Sequence, residues 1–243
     1  MGKDVDTRLQ ALTARLTETL GDNLVSFCLY GPAVRQDTRE AGKEMTTLLI
    51  VRNVSPKALR PIEGTIAAWT KRAQPPPLVF SVDGWKASTD VFPIEIEDMR
   101  EAHRVLHGGD PFEGITTTKA DLRQELEREV RGKMLRLRAE FLAAAPRPKA
   151  LEDLLLDSAG TFFVLFRAVL RLSGHVPPQT PRTLVQQVAE VASLDPTAFE
   201  WVLDKLVGHN MPALKPYDPV GYRYLEQLER LIEFVDTWRQ TGQ

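Results

Sequence analysis

The residues of this 243-residue chain with chemical potential fall in a few short stretches. In DVFPIEIE, Glu95 and Glu97 stand two apart, the spacing at which strand side chains share one face, so both carboxylates would point the same way. In EDMREAHRVLHG, His103 and His107 are four apart, which puts two imidazoles on one helical face as zinc sites sometimes need. That segment lacks the glutamate a metalloprotease helix carries between its histidines, and only Glu97, Asp98 or Glu101 could complete a site. Histidines on the surface of a helix end are the better reading. Arg131 and Arg138, seven apart, flank an apolar stripe and could form a basic margin for phosphates. Glu127, Glu129 and Glu140 nearby favour a solvated, ion-paired face instead. Arg171 and His175 lie close together, but Gly174 between them should end the helix first. No Gly-rich phosphate loop is present, and Ser, His and Asp are too scattered for a hydrolase triad.

The elements that must position these residues follow from periodicity. Val5, Leu9, Leu12, Leu16 and Leu20 recur at helical spacing and predict an amphipathic helix over 4–20, closed by Gly21. LVSFCLY and TTLLIVRNV are apolar runs of strand length, the second nearly continuous and so central in a sheet. Ser55-Pro56 predicts an N-cap with Pro at the first helical position, opening a helix to about residue 72 that QPPP stops. PLVFSV and DVFPIEIE are expected as further strands, with Pro93 placing the last at an edge or bulge. From about residue 118 every pattern is helical. Leu122, Leu126, Val130, Met134, Leu137 and Phe141 form one stripe, and LEDLLLDSAGTFFVLFRAVLRL is apolar on nearly all sides, as a central bundle helix would be. The fold class expected is α+β: a small mixed sheet domain over 1–115, then an all-α bundle of about five helices over 116–243.

Composition bounds the function. A net charge of -2 gives no support for broad electrostatic binding to nucleic acid or to a membrane. The single cysteine, Cys28, excludes an intramolecular disulfide and suits a reducing, cytoplasmic setting. The N-terminus lacks an apolar signal-like core, and the most apolar run is interrupted by Arg167 and Arg171.

With LYGPAVR, MTTLLIV and VFPIEIEDM in this order, ahead of a helical region, the chain resembles the DNA-polymerase-β-type nucleotidyltransferases. Its layout is most similar to the aminoglycoside nucleotidyltransferases. The resemblance implies a Gly-Ser turn that binds phosphate, an acidic-x-acidic strand and a later strand with a third carboxylate, together holding two Mg²⁺. It also implies a substrate cleft between the sheet and the first bundle helices. On this alignment the cleft residues are Gly31, Pro32, Arg35, Met45, Thr47, Glu95, Glu97, Arg131 and Arg138, with Glu95 as the residual catalytic carboxylate. The departures lie where chemistry is needed. Met45 and Thr47 occupy the two acidic positions, and Pro32 replaces the serine, removing an N–H and a hydroxyl. Glu44 pairs with Thr46 on the opposite face of the strand.

The expectation is therefore a catalytically degenerate protein that holds a nucleotide or a protein partner without transfer and has no resident metal. Two alternatives stand beside it. One is an active enzyme that transfers NMP from an NTP with Mg²⁺, using Glu95 and Glu97 together with Asp37 or Glu44. The other is a structural protein whose bundle dimerises.

Overall fold

The computed structural model describes residues 3–35 and 44–238, apart from the side chains of 3–5 and of Arg35. The chain forms two compact units, Met1–Thr118 and Lys119–Gln243. The first is α+β with a small mixed sheet, and the second is helical.

In the first unit, α1 (Lys3–Leu20) leads into β1 (Leu24–Tyr30), the short helix α2 (Pro32–Arg35) and β2 (Thr46–Val51). The segment after Ser55 begins as predicted: the Ser55 hydroxyl accepts from the N–H of Ala58, and Pro56 takes the first helical position. Pro61 has no N–H for the next helical bond. The stretch therefore splits into α3 (Pro56–Leu59), a 3-10 turn (Arg60–Ile62) and α4 (Glu63–Thr70). β3 (Leu78–Ser81) and α5 (Val82–Lys86) follow.

The strand expected over DVFPIEIE is instead a helix, α6 (Pro93–Glu101). Pro93, taken to mark an edge strand, sits at the helix start, where a missing N–H costs nothing. Ile94, Ile96 and Met99 are its buried positions. The helix expected through the histidines is β4 (His103–Gly108).

The sheet order is β3-β2-β1-β4, with β1 antiparallel to both neighbours and β2 parallel to β3. Each face is covered. On one side Phe27, Leu29, Met45, Leu49 and Val51 pack with Leu9, Leu12 and Leu16 of α1 and Trp69 of α4. On the other, Cys28, Leu48 and Ile50 pack with Trp85 of α5, Ile96 and Met99 of α6, and Phe112. Burial on both faces is why β2 reads as an unbroken apolar run rather than an alternating one.

The second unit contains α7 (Lys119–Ala144), α8 (Pro148–Leu172), α9 (Pro181–Ala192), α10 (Thr197–Leu206) and α11 (Pro219–Thr237). Its centre is α8, where Phe162 and Phe166 meet Phe199 of α10 and Tyr224 of α11 edge-to-face. The predicted stop of α8 is observed. Gly174 has φ 81°, its N–H donates to Arg171 O, and the N–H of His175 donates to Leu170 O, a Schellman ending. His175 is thus an exposed residue beyond the helix.

Candidate functional site

The turn between β1 and β2 is the place to look for phosphate chemistry. Gly31 is buried with φ 77°, a backbone state that favours glycine, and an added Cβ would lie 3.2 Å from Thr46 Oγ1. Its N–H does not face an open cleft but donates to Ala102 O at 2.8 Å, and its carbonyl accepts from the N–H of Val34 at 2.9 Å. Thr46 Oγ1 donates to Tyr30 O at 2.7 Å, closing the neighbouring position. Pro32 is exposed and opens α2, a single turn. Arg35 ends that turn with its side chain outside the described residues, as is Asp37 entirely.

Met45 and Thr47 are fully buried, at 0% exposure. The Met45 N–H donates to Gln74 Oε1 at 2.8 Å, which fastens the start of β2 to the segment after α4. Alternation along β2 puts Thr47 with Met45 and Leu49 on the α1 side. There its hydroxyl is buried with no hydrogen-bond partner among the described residues. Glu95 and Glu97 belong to α6, which packs through Ile96 and Met99 on the opposite face of the sheet. Met45 and Glu95 therefore lie on opposite sides, and the expected convergence of 45, 47 and 95 on one cleft does not occur.

Nor do Glu95 and Glu97 share a face, because two helical steps rotate a side chain by about 200°. Glu97 accepts from Thr117 Oγ1 at 2.5 Å and pairs with Arg100 at 2.9 Å, while Arg100 Nη2 donates to Ile115 O at 2.7 Å. This set ties the segment after β4 to α6, a structural role.

The histidines are separated by a bulge. Phe27 pairs with His107 and Cys28 with Val105, so Leu106 is the extra residue and the alternation of β4 slips there. His107 Nδ1 then reaches Thr17 of α1 at 3.3 Å. His103 points to the other face, with Nδ1 2.8 Å from Arg100 O, Nε2 3.3 Å from Asp110 and its ring 4.6 Å from that of Phe112. Four-residue spacing on a helix would have brought them together, and a bulged strand parts them.

In the helical unit, Arg131 pairs with Asp236 and Glu127, and Arg138 pairs with Glu229 at 3.0 Å. Both arginines tie α7 to α11 through these ion pairs. Cys28 is wholly buried, and burial, with Asp110 nearby, pushes its thiol up to about 12, so it stays a neutral core residue.

Mg²⁺ of the kind the resemblance implies needs hard, charged oxygen ligands. None of the four strands carries an Asp or Glu: they read LVSFCLY, TTLLIV, LVFS and HRVLHG. Among the described residues no three His, Cys, Asp or Glu gather where they could hold a metal ion. The described residues do not fit the two-ion site. Two features decisive for this conclusion, the Gly31–Ala102 hydrogen bond and the placement of α6, have no signature in the sequence beyond Gly31 itself and Pro93. No family model matches the chain, and no curated protein matches it either. No helix among the described residues is long and apolar enough to cross a membrane.

Proposed function

We propose that the first unit is a nucleotidyltransferase-type scaffold that works by binding a protein partner and catalyses no transfer. The observation that carries this reading is a sheet whose strands hold no carboxylate. In-line nucleotidyl transfer needs divalent ions to bridge the phosphates and the attacking hydroxyl. The turn supports the same conclusion. Pro32 has no N–H, and the Gly31 N–H is engaged by Ala102, so the two backbone donors that would meet a phosphate are gone. A protein partner is favoured over a nucleotide for that reason.

The test is incorporation of labelled NMP from each of the four NTPs, with Mg²⁺ or Mn²⁺, into the chain itself and into a panel of small-molecule and protein acceptors. No metal-dependent incorporation is expected. Incorporation that disappears in Glu44→Gln or Glu95→Gln would overturn the reading.

A further inference from the structure

α7 buries one stripe in the bundle and leaves another bare. Leu135 is 67% exposed and Leu142 is 79% exposed, seven residues apart on one face. Exposed Gly132, Ala139 and Ala143 lie along the same face, and a Cβ added at Gly132 would meet nothing within 4 Å. Leucines alternating with small residues at heptad spacing form a seam onto which a second helix can approach closely. The margin toward α11 is already occupied, because Arg131 and Arg138 are paired with Asp236 and Glu229. The other margin carries Arg136 and Glu140, both exposed and neither with an ion-pair partner among the described residues.

We propose that this seam is a self-association face, on which α7 of a second copy of the chain packs antiparallel across a two-fold axis level with residue 138, next to Ala139. Charge and spacing select that occupant. One positive and one negative residue a turn apart make a margin that complements its own reverse, whereas an acidic or a basic partner helix would meet one like charge. In the antiparallel pair each Arg136 comes opposite Glu140 of the partner subunit, each Leu135 packs beside Leu142 of the partner subunit, and Ala139 meets its own copy near the axis. The contact is narrower than the roughly 800 Å² per partner of a standard interface, so the dimer is weak and concentration-dependent. The inference is independent of whether the first unit transfers nucleotides.

Sedimentation velocity of the full chain from about 5 to about 500 µM reads the association directly. A monomer–dimer equilibrium is expected, weakened about tenfold or more by Leu142→Glu. Arg136→Glu should weaken it several-fold, and adding Glu140→Arg should restore it. Mild oxidation gives a signal that does not depend on loss of folding. Ala139→Cys should cross-link two chains and Leu142→Cys should not, with Cys28 silent because it is buried. A strict monomer across the range, a dimer indifferent to Leu142→Glu, failure of the charge swap to restore, or cross-linking through Leu142→Cys would each overturn the proposal. So would a monomer whose seam instead captures an acidic amphipathic helical peptide.

Discussion

At the level of single residues, Met45 and Thr47, which stand at the two acidic positions of the resemblance, are buried packing positions. The Thr47 hydroxyl is buried without a partner among the described residues, a state that costs on the order of 1–3 kcal/mol. Thr47→Val should therefore raise stability by about 1 kcal/mol in urea denaturation, and a loss would show that the hydroxyl is bonded in solution. Gly221 sits where an added Cβ would lie 2.9 Å from both Leu151 Cδ1 and Phe141 Cε2. Gly221→Ala should cost about 1–3 kcal/mol by overpacking, despite alanine's better helix propensity. Cys28 provides a pH test. Its folded thiol is pushed up to about 12, above the roughly 8.5 of an unfolded chain. The contribution is therefore complete below about pH 8.5 and is lost as pH rises through the folded value, because the unfolded state gives up its proton first. Denaturation midpoints should fall between pH 9 and 12, and the fall should start at higher pH and be smaller in Cys28→Ser measured against its own neutral baseline. The remainder comes from Tyr30 and Tyr224, whose phenols burial also pushes up.

At the level of elements, what the sequence made legible was whatever depended on local pattern. The α1 stripe, the apolar runs of β1 and β2, the Ser55-Pro56 helix start and the Gly174 stop are all written in neighbouring residues, and all are observed. The errors have one origin. In DVFPIEIE the alternating Ile and Glu look like a strand, yet Ile94 and Ile96 are both buried in a short helix whose start is set by Pro93. In a helix that short, period 2 and period 3.6 are hard to separate. The histidine segment failed in the mirror sense: a strand with one extra residue mimics helical spacing, because the bulge depends on pairing with Phe27 and Cys28 some 75 to 80 positions away. The candidate site was least legible for the same reason, since opposite faces of a sheet are distinguished only by what covers them. Ser193, which ends α9 at φ 54°, offers a local check on this kind of reading. Ser193→Gly should stabilise by about 0.5–1 kcal/mol, seen as a higher melting temperature, because that backbone state penalises a Cβ.

At the level of the whole molecule, two compact units with separate cores imply separable folding. Residues 119–238 expressed alone should remain helical and melt cooperatively, with Phe199→Ala costing about 3–5 kcal/mol through the aromatic cluster around Tyr224. A fragment that unfolds would show that the units depend on one another for stability. The account of the first unit rests on a sheet devoid of acidic side chains. Titration of Mn²⁺ into the full chain with a non-hydrolysable ATP analogue, followed by electron paramagnetic resonance, addresses that most directly. No saturable Mn²⁺ site beyond that of the free nucleotide is predicted, whereas two Mn²⁺ per chain, lost in Glu44→Gln or Glu95→Gln, would contradict it.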